Sequence, residues 1–126
     1  NHPNELLNTR LRLESVHNAL EQAKTTANSI IGEKIAYNQV PWFWSDQYDH
    51  KLQIVGLSGS HNEVVTRESE KNTSFTIFYL RDNELIACDA VNNPKEFLIC
   101  KKLVANKVKI SSDKLKDPTL DLNNLL

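Results

Sequence analysis

Phe75-Thr76-Ile77-Phe78-Tyr79-Leu80-Arg81-Asp82-Asn83-Glu84-Leu85-Ile86-Ala87-Cys88-Asp89-Ala90-Val91 carries the clearest structural signal in the chain. Residues 75–80 are rich in β-branched and aromatic side chains and partly alternate, the signature of a strand. Arg81-Asp82-Asn83-Glu84 reads as a tight turn, because Asp and Asn tolerate positive φ. Residues 85–91 then return as the antiparallel partner. Upstream, Val64, Val65, Thr66 and Arg67 predict a short strand, and Leu52, Ile54 and Val55, leading to Gly56, predict another that ends near Ser58-Gly59-Ser60. Four strands joined by short connections predict a meander, with a charged and polar loop over 68–74.

Downstream of the hairpin, Asn93-Pro94-Lys95-Glu96 predicts a helix start. Asn93 can cap, Pro94 suits the first helical position, and Glu96 completes a pair resembling a capping box. Phe97, Cys100 and Val104, with Leu103 beside them, form the buried face of a helix ending near Asn106. A further turn is expected over 111–115, before Pro118. Near the other terminus, Val16, Leu20, Ala23, Ala27 and Ile30 recur at helical spacing, with Ser15 as N-cap and Gly32 as left-handed C-cap. Residues 1–11 show no sustained period, so His2 reads as an exposed loop residue. The fold class is therefore α+β: an N-terminal helix, a four- to five-stranded antiparallel sheet, and one or two C-terminal helices.

Composition narrows the function. The chain has 126 residues, 40% hydrophobic and 25% charged, with a formal net charge of −1. That balance is ordinary for a soluble globular protein and offers nucleic acid no general attraction. No apolar run approaches the ~20 residues of a membrane span. Cys88 and Cys100 lack CxxC spacing, so buried free thiols in a reducing cytosol are expected rather than a redox pair. His17, His50 and His61 are scattered, which argues against zinc. Asp46 and Asp49 have no evident orienting partner for acid–base work, and no nucleophile motif is present. Gly32, Gly56 and Gly59 form no GxGxxG, so a phosphate cradle for a dinucleotide is not expected here. Charge is uneven: residues 92–116 hold seven lysines against Glu96 and Asp113, a net +5, whereas residues 1–91 carry −4.

The most unusual segment is Pro41-Trp42-Phe43-Trp44-Ser45-Asp46-Gln47-Tyr48-Asp49-His50-Lys51-Leu52-Gln53-Ile54-Val55-Gly56, which contains both tryptophans, Phe43 and Tyr48. Such density suits a core plug or a platform for a flat ligand. With Arg12-Leu13-Glu14-Ser15-Val16-His17-Asn18-Ala19-Leu20-Glu21-Gln22-Ala23, Phe78-Tyr79-Leu80-Arg81-Asp82 and Asp89-Ala90-Val91-Asn92, it resembles the C-terminal region of FAD-dependent, NAD(P)H-linked ferredoxin reductases of the putidaredoxin-reductase and rubredoxin-reductase type. The resemblance covers nearly the whole chain.

That resemblance implies residues 1–35 as the tail end of an FAD-binding domain and 36–126 as the reductase C-terminal α+β domain. It implies that Ser15, Val16 and His17, at the start of the first helix, meet the flavin, with the Val16 amide near its pyrimidine edge. It implies Trp44 near the flavin where electrons leave for a [2Fe–2S] ferredoxin, and Trp42 close by. The remainder of the reductase chain is then a partner. The lysines of 92–116 read either as a plain solvated helix face or as a patch that helps attract an acidic ferredoxin. A chain without methionine, opening just behind the Gly-Asp that would hold the FAD ribityl chain, is expected to be a fragment without activity of its own, from a cytoplasmic enzyme. The alternative is a free-standing α+β interaction or dimerisation module with the aromatic segment as its contact surface.

Overall fold

The computed structural model describes residues 1–68 and 73–126, so the centre of the loop expected over 68–74 lies outside the described residues. The chain divides into two compact units, Asn1–Phe43 and Trp44–Leu126.

In the first unit, β1 (His2–Asn4) pairs antiparallel with β2 (Thr9–Leu11), and α1 follows over Val16–Ile30. The loop reading of residues 1–11 is thus corrected, and His2 sits half-buried in a strand. A three-residue strand is too short to show a period, which is why its sequence is silent. Ser15 caps α1 with extended backbone, its Oγ accepting from Asn18 N at 3.2 Å. The helix ends as expected at Gly32, with φ +96°. Gly32 N donates to Ser29 O and Glu33 N to Asn28 O, the paired bonds of a Schellman motif.

The apolar stripe of α1 behaves differently from a helix covering a sheet: Val16 and Leu20 are each 57% exposed and Ile30 80%. The polar side of α1 is the one that is packed. Asn18 is its buried residue, donating Nδ2 to Leu13 O at 2.7 Å and accepting at Oδ1 from Gln22 and Tyr37.

The second unit holds β4 (His50–Gly56), β5 (Glu63–Glu68), β6 (Phe75–Arg81) and β7 (Glu84–Val91), joined at the edge by β3 (Trp42–Gln47), which starts in the first unit. Asp82 and Asn83 have φ of 52° and 65°, as the two-residue turn between β6 and β7 requires. All the pairings recorded for β4 to β7 are antiparallel, but the strand order is β3-β4-β7-β6-β5. The expected four-strand meander is therefore corrected. Of the four expected strands only β5, β6 and β7 follow one another, and β4 lies beside β7. The connection over 57–62 must cross the ends of two strands, about 14 Å from β4 to β5, which six residues can reach.

One face of this sheet is dry. Val55, Cys88, Phe78 and Val65 form a row across four strands, each 0–1% exposed. Helix α2 (Pro94–Ala105) lies on β4 and β7, presenting Phe97, Cys100, Leu103 and Val104. Helix α3 (Ser112–Lys116) packs on β5 through buried Leu115, and Leu122 is buried in a final 3-10 turn next to α2. The opposite face, with Ile54, Ile77 and Tyr79, stays half-exposed. That asymmetry gives the partial alternation in the sequence.

The start of α2 departs slightly from the expected box. Asn93 Oδ1 faces Glu96 N at 3.5 Å, but Glu96 reaches back to the Asn93 side chain, at 2.9 Å, rather than to its backbone. Its other oxygen pairs with Arg67.

Candidate functional site

The start of α1 is one half of the predicted site. Ser15 occupies the cap, leaving Val16 as the first helical residue, 57% exposed. No intrahelical carbonyl can face an amide at that position, so it is a donor aimed along the helix axis at the positive end of the macrodipole. The predicted chemistry, N–H donors for an electron-rich acceptor, is within its means.

His17, one residue on, touches Trp42: the two rings lie 5.2 Å apart at 44°. Thus the first unit brings together Ser15, Val16, His17 and Trp42. Trp42 and Trp44 are two residues apart on β3 and so project to the same side of that strand, with Phe43 on the other side. Both tryptophans are half-buried, whereas Phe43 is 45% exposed. Trp44 opens the second unit.

The remaining sequence candidates find plain roles. Asp46 is exposed and sits 3.8 Å from Lys51, and Tyr48 is fully exposed at the β3–β4 turn. Among the described residues, no group of three or more His, Cys, Asp or Glu could hold a metal ion. Cys88 and Cys100 are free and buried, and burial, then the hydrogen bond with Cys100, pushes the Cys88 thiol well up. Such thiols are poor nucleophiles.

Sequence reasoning missed two polar arrangements. The first is the seam of His2, Asn18, Gln22 and Tyr37 in the first unit, hidden because it occupies the side of α1 opposite the apolar stripe. The second is Arg67. Its Nε lies 3.1 Å from Glu96 Oε1, and its Nη2 donates to Pro118 O at 3.0 Å and Leu120 O at 2.6 Å. One 8%-exposed guanidinium thereby ties β5, α2 and the C-terminal segment together. It borders a cleft of about 910 Å³ also lined by Asn93, Lys95, Glu96, Thr119 and Asp121, and none of the five predicted site residues lines it.

Residues 42–126 match the family described as Reductase C-terminal. The chain is 42% identical over 116 residues to the 5,5'-dehydrodivanillate O-demethylase ferredoxin reductase subunit of Sphingobium sp., covering 92% of this chain and 28% of that protein. It is 35% identical over 122 residues to putidaredoxin reductase of Pseudomonas putida, covering 97% of this chain and 29% of the relative. Among solved structures it is similar to the covalent putidaredoxin reductase–putidaredoxin complex, with TM-score 0.88, 35% identity, and coverage of 97% and 29%. It is also similar to the ferredoxin reductase for the CYP199A2 system from Rhodopseudomonas palustris, with TM-score 0.90, 34% identity, and coverage of 97% and 30%. The chain thus spans under a third of the length of these relatives.

Proposed function

The chain belongs to the reductase C-terminal family, and on that premise we propose that it is the C-terminal part of a flavoprotein that passes electrons from NAD(P)H through FAD to a [2Fe–2S] ferredoxin of an oxygenase system. The observation that carries the proposal is near-complete coverage of this chain by ferredoxin reductases at 35–42% identity, one of them solved in covalent complex with putidaredoxin. In this reading residues 1–35 close an FAD-binding domain and 36–126 form the reductase C-terminal domain. The family match begins at Trp42 and the second compact unit at Trp44, a few residues beyond that boundary.

The residues present fit one part of FAD. The start of α1 offers backbone N–H groups and a partial positive charge, which suit the electron-rich pyrimidine edge of an isoalloxazine. The dinucleotide phosphates find no glycine-rich cradle in this sequence and would be held by the rest of the protein. When bound, FAD accepts hydride from NAD(P)H and releases electrons singly. Ser15 holds the first turn of α1 in place, so that the Val16 amide keeps its direction. His17 packs on Trp42 and limits its rotation. Trp44 excludes water on the side where electrons leave, with Trp42 beside it. The lysines of 92–116 favour approach of an acidic ferredoxin, since complementary charge raises association rates more than affinity. The protein works in the cytoplasm, where NAD(P)H is supplied. No helix among the described residues is long and apolar enough to cross a membrane.

Two measurements test this. The chain alone, titrated with FAD, should give no stable yellow complex and no NADH oxidation, and either would refute the division of labour. In the complete enzyme, Trp44→Ala should slow ferredoxin reduction by at least about tenfold while leaving flavin reduction by NAD(P)H within about twofold, since about 1.4 kcal/mol on one step suffices. Stopped flow on folded, FAD-loaded protein separates the two half-reactions. Equal losses in both, or none in the second, would make Trp44 a packing residue.

A further inference from the structure

The polar seam of the first unit fixes a protonation state. Leu13 O can only accept, so the Asn18 atom 2.7 Å from it is the amide nitrogen, and the other Asn18 atom is the carbonyl oxygen. That oxygen accepts from Tyr37 OH at 2.9 Å and from Gln22 at 3.1 Å, so Gln22 presents its amide nitrogen here. The same nitrogen lies 3.0 Å from His2 Nδ1. His2 Nδ1 must therefore be the unprotonated, accepting nitrogen. The ring is neutral with its proton on Nε2, which is buried without a hydrogen-bond partner among the described residues. Tyr37 closes the seam, its ring edge-on to His2 at 4.6 Å.

We propose that this seam is a pH-sensitive latch: acid protonation of His2 turns the Gln22–His2 hydrogen bond into a contact between two donors and releases the β1–β2 hairpin from α1. The groups that bear on the ring point the same way. Burial lowers the affinity of His2 for a second proton, and Arg10 on β2 lowers it further. Gln22, from α1, is uncharged. Tyr37, from the segment between α1 and β3, is held neutral, its phenol raised by burial and then by Glu21. A group with a lowered folded value stabilises the closed form fully above the ordinary histidine value of 6.5. That contribution is lost as pH falls through the folded value. The latch stands apart from the flavin reading, since neither FAD nor ferredoxin enters the argument.

The test is hydrogen exchange, read by mass spectrometry on the complete enzyme at pH 7.5 and pH 5 and corrected for intrinsic rates. Protection of peptides covering β1, β2 and the middle of α1 should fall several-fold at the lower pH, while β6 and β7 hold. His2→Gln supplies an acceptor that does not titrate, so its hairpin protection should be the same at both values. A wild-type hairpin equally protected at both values, or a variant that loses protection as the wild type does, overturns the proposal. If His2→Gln does not fold, nitrogen NMR of the wild-type imidazole decides: a pyrrole-type Nδ1 refutes the latch, and a pyridine-type Nδ1 that protonates together with hairpin opening supports it.

Discussion

Gly56 is the residue whose replacement the backbone tolerates least. Its φ is +78°, and a Cβ built there would lie 2.1 Å from Ile86 O and 2.9 Å from the Ala87 Cα. The cause is next door. Tyr79 pairs with Ala87 but Leu80 with Leu85, so Ile86 is the extra residue of a bulge, and its carbonyl presses toward β4. Gly56→Ala should cost roughly 3–4 kcal/mol, because both the left-handed φ and a backbone clash must be relieved. Gly59→Ala, with nothing within 4 Å, should stay within about 0.5 kcal/mol. Urea midpoints of the two variants make the comparison. Tyr79 offers a second measurement. Burial, then its 2.8 Å hydrogen bond to Asp89, pushes the phenol up to about 12. An unfolded tyrosine ionises near 10, so the stabilisation is complete below that pH and is lost as pH rises from about 10 to about 12. Tyr79→Phe should cost about 1.5 kcal/mol at neutral pH and flatten this alkaline decline, as denaturation across pH 7–12 would show.

At the scale of elements, the two long helices end in the same way with different residues. Lys107 N donates to Val104 O and Val108 N to Leu103 O, repeating at the end of α2 the bond pair seen after α1. The left-handed position is Gly32 in one case and Lys107, φ 50°, in the other. A non-glycine residue pays roughly 1–2 kcal/mol for that conformation, part of which glycine gives back as unfolded-state entropy. Lys107→Gly should therefore stabilise the second unit by about 0.5–1 kcal/mol, whereas Gly32→Ala should destabilise the first. Thermal denaturation followed by circular dichroism would register both, and a destabilised Lys107→Gly would mean that the lysine side chain makes a contact worth more than the strain.

At the scale of the molecule, the cross-strand row under α2 makes the second unit cooperative. Cys88 and Cys100 both lie in that core with no exposure, and α2 closes over them. A disulfide-exchange reagent should leave both thiols unmodified in native buffer and modify both together through the urea transition, with no singly labelled species accumulating. Rapid labelling of either thiol in native buffer would show that α2 opens on its own, independently of the sheet.

What the sequence determined by itself is local. Ser15 and Gly32 bracket α1, Asn93 and Pro94 start α2, and Asp82-Asn83 turns β6 into β7, because caps and tight turns are settled by the residues that form them. The family was legible too, since the motif at residues 41–56 and the one at residues 12–23 are long enough to be specific without any contact map. Only the tertiary structure decided the rest. The position of β4 beside β7 depends on which strand edge is vacant when the β5–β7 hairpins close, and no residue of β4 encodes that order locally. The packed side of α1 was invisible for the same reason: Asn18, Gln22 and Tyr37 are polar on their own, and only their mutual hydrogen bonds and His2 make that side the buried one. Arg67 likewise reads as one more surface charge until Glu96, Pro118 and Leu120, each about 29 to 53 positions away, converge on its guanidinium. Its burial follows from partners that only the folded chain assembles.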